Sequence, residues 1–284
     1  MISLSRPLTI RNHDRDLAGL TYVYPVLSRR AGGVSIGINL NPNNACNWHC
    51  AYCQVPDLVR GKAPAIDLAQ LEQELGGFLG DLVHGDWLSR HAPEGMRAIR
   101  DIAFSGNGEP TSAAVFPEAV ELVVRLREQA GLGKEVPIRL ITNGSLMAQA
   151  RVQQGLRALG EAGGEVWFKV DAGTAAGMER INGIRMGPAA VARHLALSAS
   201  LCPTWVQTCM FRWDDAPPSE AELAAYLDVL TAAGGGTLQG VLLYGLARPS
   251  MQVEATHLKA LTADELEAIG GRIREKGLTV RVSP

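Results

Sequence analysis

The sequence is short of the features that define several classes of protein. Its 284 residues include five cysteines and 5% aromatic residues, and the net charge is only −2 at pH 7. This balance gives no global electrostatic reason to bind nucleic acid or an anionic membrane surface. Segment 1–16 has no apolar signal-peptide core, so a cytoplasmic location is expected. In that compartment, clustered cysteines serve as metal ligands or redox groups more often than as disulfides.

Long uncharged runs are also scarce. Two stretches, 194–211 and 229–247, lack Asp, Glu, Lys and Arg. The first contains Pro203 and several polar residues, and the second is broken by three consecutive glycines at 234–236. Both are interpreted as a helix end, a loop and a buried strand, so we expect no membrane-spanning segment and no membrane partner.

What the sequence does contain is an alternation of strand and helix patterns. Runs rich in β-branched and aromatic residues predict strands at 33–40, 101–106, 137–144, 164–172, 204–211, 238–245 and 278–283. Helical patterns lie between them, as in the spacing of Leu68, Leu71 and Leu75 and in the capping box formed by Ser219 and Glu222. Such a series predicts a parallel sheet with right-handed crossovers.

The number of strand–helix units predicts an α/β fold built as a partial (β/α)6-like barrel of parallel strands. A doubly wound sheet is the alternative. We expect one domain over 1–284, with an N-terminal extension at 1–32 and the barrel at 33–284. Segment 81–99 is expected to be an excursion before the second strand. In a parallel barrel, chemistry collects at the C-terminal ends of the strands, where the unusual residues of this sequence fall.

Three of the five cysteines, Cys46, Cys50 and Cys53, follow the first predicted strand within eight residues. A structural zinc ion takes four ligands, commonly as two separated pairs, and His49 is poorly placed to join these cysteines on one metal. Thiolates also hold iron–sulfur clusters, and three of them on a [4Fe–4S] cluster leave one iron open to an exogenous ligand. A non-catalytic iron–sulfur or zinc-binding protein stays open as an alternative.

The spacing Cys46-x3-Cys50-x2-Cys53, with Tyr52 just before the last cysteine, resembles the signature of the radical S-adenosylmethionine (radical SAM) superfamily. The resemblance implies that the open iron binds the amino and carboxylate groups of SAM. It also implies that one electron from the reduced cluster cleaves SAM to methionine and a 5′-deoxyadenosyl radical, which abstracts hydrogen from a substrate. A flavodoxin or ferredoxin is the electron donor expected for such a reaction.

Two further segments resemble parts of the superfamily that bind SAM. The sequence "GNGE" stands where the superfamily has a Gly-Gly-Glu motif, and the resemblance implies that it holds the methionine ammonium group. The sequence "TNG" resembles a turn near the ribose or the methionine. A glycine-rich turn and an ordinary strand-to-turn signal are the alternatives. The residues concerned are Gly106, Asn107, Gly108, Glu109, Thr142, Asn143 and Gly144.

The fourth predicted strand carries two charged residues among apolar ones. Alternation places Lys169 and Asp171 on the face opposite Val166, Phe168 and Val170. Because the apolar face packs under helices, the two charged side chains are expected to point into the barrel. Two interpretations stay open: a pair that satisfies its own charges, or ligands for the ribose or carboxylate of SAM.

The fifth and sixth predicted strands supply candidate catalytic residues. The pleat places Gln207 and Cys209 together, and a lumenal Cys209 thiol is a candidate hydrogen-atom donor or part of the substrate site. A small buried core cysteine is the simpler interpretation. Tyr244 and Arg248, near the end of the sixth strand, are candidate contacts to adenine or substrate.

Within the superfamily, region 24–175 is most similar to proteins related to the wyosine-type tRNA-modifying synthetases, and 245–251 continues the likeness. As that family implies, such enzymes use pyruvate and carry further cysteines, before the SAM motif, for a second cluster. No cysteine precedes Cys46 in this sequence. We therefore expect one [4Fe–4S] cluster and an unidentified small-molecule or peptide substrate, with tRNA as the disfavoured alternative.

Iron content tests the expectation of one cluster. Beyond the motif the chain has only Cys202 and Cys209, too few thiolates for a second cluster. Anaerobically reconstituted and desalted protein is expected to hold about four irons per chain. Replacing Cys46, Cys50 or Cys53 with Ala should remove the cluster's absorbance, and Cys202→Ala should retain it. About eight irons, with Mössbauer spectra of two cubanes, would overturn the expectation.

Overall fold

A β-sheet covered by helices organises the computed structural model, which describes residues 8–9, 18–28 and 32–284. The strands of these residues are β1 (Val23–Ser28), β2 (Gly33–Asn39), β3 (Ala45–Cys46), β4 (Val59–Arg60), β5 (Ile99–Ser105), β6 (Ile138–Thr142), β7 (Glu165–Lys169), β8 (Thr204–Cys209), β9 (Phe211–Trp213), β10 (Gly240–Tyr244), β11 (Leu258–Ala260) and β12 (Val280–Ser283). The α-helices are α1 (Leu68–Val83), α2 (Trp87–His91), α3 (Phe116–Gln129), α4 (Ala150–Glu161), α5 (Ala175–Asn182), α6 (Pro188–Leu201), α7 (Glu220–Ala232) and α8 (Ala263–Arg274).

The main sheet has eight strands in the order β1-β2-β5-β6-β7-β8-β10-β12. From β2 to β12 all neighbouring pairs are parallel, and each of the seven strands predicted from the sequence appears in this row. Within the described residues β1 and β12 form its two edges, so the barrel is not closed. The expected α/β fold with a partial parallel barrel is therefore confirmed.

One edge strand, β1, was not predicted from the sequence. It lies within the segment assigned to an N-terminal extension and pairs antiparallel with β2, from Val23 opposite Ile38 to Ser28 opposite Gly33. Pro25 interrupts its strand pattern, and proline is tolerated in a sheet mainly at an edge. The position of β1 at the edge therefore explains why the pattern was weak.

The excursion expected at 81–99 contains α2 and packs back onto the domain. Trp87 is fully buried, and its ring meets that of Phe78 edge-on with centroids 5.0 Å apart. This contact joins α2 to α1. None of the helices in the described residues combines the length and the apolar character needed to cross a membrane.

The two faces of the sheet differ in character. Val166 and Phe168 of β7 are buried toward the helices, as their alternation predicts. On the opposite face, Lys169 lies in register with Gln207 of β8, which in turn is in register with Leu242 of β10. Polar side chains therefore follow the inner face of the partial barrel and form the wall of a cavity.

Gly173 provides a test of how closely the end of β7 packs against α7. A Cβ atom at Gly173 would lie 1.9 Å from the backbone nitrogen of Tyr226 and 2.2 Å from the carbonyl carbon of Ala225. Gly173→Ala is expected to lower the free energy of unfolding in urea by at least about 1–3 kcal/mol, because the backbone must move. Gly271→Ala, where a Cβ atom meets nothing within 4 Å, is the control and should be about 0.5–1 kcal/mol stabilising. Equal stability of the Gly173→Ala and wild-type proteins would contradict this packing.

Candidate functional site

A cavity of about 640 Å³ lies against the inner face of the sheet, at the C-terminal ends of its parallel strands. The loops that follow β2, β5, β6 and β10 contribute to its wall. The predicted site residues that line it are Cys46, Cys50, Tyr52, Cys53, Gly106, Asn107, Gly108, Glu109, Thr142, Asn143, Lys169, Cys209 and Tyr244. Two predicted site residues, Gly144 and Asp171, lie outside the lining. The structure thus brings together residues from six separate segments.

The three clustered thiols share one wall of this cavity. Burial raises the pKa of the Cys46 thiol to about 12 and also raises that of Cys50. The charge of Cys53 contributes a little to both increases, and all three cysteines line the same cavity. The Asn182 amide donates to the Cys50 sulfur at 3.4 Å, and the Trp48 N–H donates to the Cys46 sulfur at 3.5 Å. Thiols buried to this degree lose their protons only when a cation compensates the charge.

The clustered cysteines do not form a closed site for a single metal ion within the described residues. No group of three His, Cys, Asp or Glu side chains in the described residues converges closely enough to hold one metal ion. The arrangement therefore does not provide the four convergent ligands of a structural zinc site that includes His49. The irons of a cubane occupy separate corners, so its thiolates need not point at one centre.

The cysteine loop is fastened to the C-terminal turn of α5. The backbone N–H of His49 donates to the Asn182 carbonyl at 3.0 Å, and that of Ala51 donates to the Ile181 carbonyl at 2.7 Å. The Asn182 side chain reaches the Cys50 sulfur from the same turn. Sequence reasoning did not identify Asn182, because nothing in the local pattern of α5 indicates which loop it meets.

A second attachment joins the cysteine loop to the turn after β6. The Asn143 amide donates to Asn47 Oδ1 at 2.8 Å, and the Asn47 amide donates to Ser145 Oγ at 2.7 Å. The N–H of Ser145 closes the group by donating to Asn143 Oδ1 at 3.0 Å. Gly144 lies in this turn with a φ of 71°, so it shapes the backbone rather than the cavity wall. Asn47 was not predicted, although it directly follows the first cysteine.

Glu109 lies at the cavity but is held by protein donors. Its carboxylate accepts from the hydroxyls of Thr111 and Thr142, each at 2.6 Å, and from the backbone N–H of Asn143 at 2.7 Å. Burial raises the pKa of this carboxyl group, against the effect of these hydrogen bonds. Glu109 thereby ties the turn after β5 to the turn after β6.

The segment before Glu109 approaches the cysteine loop closely. A Cβ atom at Gly108 would lie 2.1 Å from the Ala45 carbonyl oxygen, so only glycine fits there. The Asn107 amide donates to Asn44 Oδ1 at 2.6 Å. Its own Oδ1 atom is buried and has no partner among the described residues, and the residue itself lines the cavity. An unpaired buried acceptor is costly, so this atom fits a ligand that donates a hydrogen bond.

Asp171 is surrounded by donors from three parts of the chain. Its carboxylate accepts from the Tyr52 hydroxyl at 2.5 Å, the Asn182 amide at 2.8 Å and the backbone N–H of Cys209 at 2.9 Å. The side chain is completely buried. Because the carboxylate is fully buried, lies outside the cavity lining and already has three donors, this geometry favours the interpretation of Asp171 as a satisfied internal charge over that of a direct SAM ligand.

Lys169 supplies a positive charge to the part of the cavity wall beside Tyr52 and Tyr244. Its Nζ atom lies 3.9 Å from Asp171 Oδ2, 3.3 Å from the Tyr244 hydroxyl and 4.8 Å from the centroid of the Tyr52 ring. Burial alone would lower the pKa of Lys169, but Asp171, with smaller contributions from Tyr244 and Cys50, raises it above its ordinary value. Lys169 is therefore a cation that faces the cavity.

A second group of polar side chains lies on the inner face of the sheet, and the sequence did not reveal it. Arg139 pairs with Asp101 and donates to Glu165 Oε1 at 2.6 Å, and these three residues come from neighbouring strands. Gln207 is buried on the inner face, and its Oε1 atom lacks a partner within the described residues. Cys209 faces the same cavity two residues further on. The pairing across strands, which a single sequence does not encode locally, creates this cluster.

Comparison by sequence gives partial matches. No model of a known protein family matches the chain. It is 25% identical over 132 residues to the GTPase Obg of Brachyspira hyodysenteriae, which is 46% of this chain and 17% of that protein. It is also 25% identical over 125 residues, 42% of this chain and 30% of its partner, to an uncharacterized protein of Archaeoglobus fulgidus. The chain thus spans less than a third of the length of these curated relatives.

Comparison by structure identifies the fold. The chain resembles a radical SAM methyltransferase from Sphaerobacter thermophilus (TM-score 0.57, 14% identity, 92% of this chain and 68% of that chain). It also resembles Streptococcus suis SuiB bound to S-adenosylmethionine (0.55, 10%, 90% and 52%) and a spore photoproduct lyase (0.51, 12%, 84% and 74%). The protein therefore has the mainly parallel α/β fold of radical SAM enzymes. The wyosine-like subgroup stays a prediction.

Asp171→Asn separates the two interpretations of this carboxylate. Asparagine places an NH₂ group among donors, so we expect the free energy of unfolding of the apo-protein in urea to fall by about 1.5–3 kcal/mol or more. Asp228→Asn, on the exposed side of α7, is the control and should change it by less than about 0.5 kcal/mol. Unchanged stability of Asp171→Asn would instead favour a ligand-binding role for Asp171.

Proposed function

We propose that this chain is a radical SAM enzyme that holds one [4Fe–4S] cluster on Cys46, Cys50 and Cys53. SAM would occupy the part of the cavity beside Lys169, and the substrate would be a small molecule or a peptide. One observation carries the proposal. The three thiols of one short loop line a cavity at the strand ends of a sheet that has the radical SAM fold.

When bound, the reduced cluster supplies the electron that cleaves SAM to methionine and a 5′-deoxyadenosyl radical, which takes a hydrogen atom from the substrate. The chain's own part is to position SAM. In the proposal, Lys169 pairs with the SAM carboxylate, because the positive charge of Lys169 faces the cavity. Asn107 Oδ1, which has no partner within the described residues, receives a hydrogen bond from an N–H of the SAM amino group. The asparagine inserted in the Gly-Gly-Glu motif thereby has a specific role.

The substrate is proposed to bind next to SAM, beside Gln207, Cys209 and Tyr244 of the cavity lining. Burial raises the pKa of the Tyr244 phenol, so its hydroxyl stays protonated and able to donate a hydrogen bond. Gln207 Oε1 offers an acceptor to a substrate hydroxyl, amine or amide. The Cys209 thiol is the candidate hydrogen-atom donor, since it faces the cavity from the adjacent position on β8.

Other assignments have less support. A net charge of −2 does not favour tRNA, and the fold alone does not choose a substrate. The likeness to a GTPase supports no nucleotide proposal, because the sequence contains no G-x4-G-K-[ST] phosphate-binding motif. We propose a flavodoxin or ferredoxin as the electron donor, on the grounds of the reaction alone.

Formation of 5′-deoxyadenosine tests the proposal. Anaerobically reconstituted protein, given dithionite and SAM, is expected to produce 5′-deoxyadenosine, measured by mass spectrometry. Cys202→Ala should retain this activity, and Cys50→Ala should abolish it because a cluster ligand is lost. Fractions of metabolites, peptides and tRNA, searched for deuterium transfer, would then identify the substrate class. A wild-type protein that holds its cluster yet forms no 5′-deoxyadenosine would overturn the proposal in favour of a non-catalytic iron–sulfur protein.

A further inference from the structure

The segment after β10 contacts both the cavity and the cysteine loop. Residues 245–248 line the cavity wall. By residue 252 the chain lies against the backbone of the cysteine loop. We call residues 245–252 the strap. Two of its side chains, those of Ser250 and Gln252, are turned toward the backbone of the cysteine loop.

The contacts of the strap converge on carbonyl groups in and just after the cysteine motif. Ser250 Oγ lies 2.7 Å from the Ala51 carbonyl oxygen and 3.3 Å from that of Cys53. Gln252 Nε2 donates to the Cys53 carbonyl at 3.2 Å and to the Val55 carbonyl at 2.8 Å. The strap's backbone adds one bond, from the residue 251 N–H to the Cys53 carbonyl at 2.9 Å.

These bonds concern the third cysteine above all. The first part of the loop is fastened to α5 through the N–H groups of His49 and Ala51. The Cys53 N–H makes only the local turn bond to the Cys50 carbonyl, at 2.9 Å. The Cys53 carbonyl, by contrast, accepts hydrogen bonds within the described part of the chain only from the strap, which is 197–199 residues away in sequence. The orientation of the Cys53 backbone is therefore set by a distant segment.

We infer that Ser250 and Gln252 are positioning residues that hold Cys53 at the geometry a cluster ligand needs. The inference rests on the proposed function for the identity of the bound group, but the loop geometry on which it depends exists without that group. Because the same strap lines the cavity at 245–248, a ligand that presses on this wall also acts on the backbone of the third cysteine. Ser250 and Gln252 do not line the cavity themselves, so they act through Cys53.

Gln252→Glu is the sharpest variant, because glutamate has the same shape but cannot donate when ionised and places negative charge near two carbonyls. In the apo-protein, amide hydrogen exchange of segment 46–55 is expected to accelerate about tenfold or more, since the loop opens more readily. Gln239→Glu makes the same chemical change at an exposed position and should leave this exchange unchanged. Ser250→Ala is the milder second variant, and Ser250→Thr, which keeps a hydroxyl, should restore protection.

The reconstituted protein gives an independent readout. Iron release to an excess of chelator, followed by absorbance, is expected to be several-fold faster for Gln252→Glu and Ser250→Ala than for wild type and Gln239→Glu. Wild-type rates of both exchange and iron release in the two variants would overturn the inference. A wild-type chain that takes up no iron would overturn the proposed function instead, and hydrogen exchange of the apo-protein would still decide the role of the strap.

Discussion

The arrangement of the site depends on one buried carboxylate, that of Asp171. It accepts hydrogen bonds from the cysteine loop through Tyr52, from α5 through Asn182 and from β8 through the N–H of Cys209. A charge removed from water is tolerated only when such donors surround it, so each of these segments is held in place. The same charge keeps Lys169 protonated. Asp171 thus contacts the cysteine loop, α5 and Lys169 with a single side chain.

The other walls of the cavity follow the same rule. Glu109 joins two neighbouring turns through the hydroxyl of Thr142 and the N–H of Asn143, and the strap joins the sixth parallel strand to the cysteine loop through Gln252. Polar groups that have protein partners therefore serve mainly to fix the walls. Four buried side-chain oxygen acceptors lack a partner in the described residues, and two of them, Asn107 Oδ1 and Gln207 Oε1, belong to residues that line the cavity, which makes these two the best suited to meet a ligand.

The sequence predicted what depends on local pattern. The seven parallel strands and the cysteine loop follow from periodicity and spacing, and both lie where expected. The partners of Asp171 did not follow from the pattern, because they come from the cysteine loop, α5 and β8. Contacts such as that of Ser250 with Ala51 join residues 199 apart in sequence, and no local signal encodes them.

Cys209 is held by the same buried carboxylate as the cysteine loop. Its backbone N–H is fixed by Asp171, and its thiol faces the cavity. Asp171 also holds Tyr52, the residue next to Cys53. Asp171 therefore bonds both to the loop that carries the three cysteines and to the residue proposed as hydrogen donor, so the spacing between them does not depend on a flexible surface loop. In the proposed reaction a reactive radical must meet one substrate atom and no other, and a fixed spacing across a small cavity provides that selectivity.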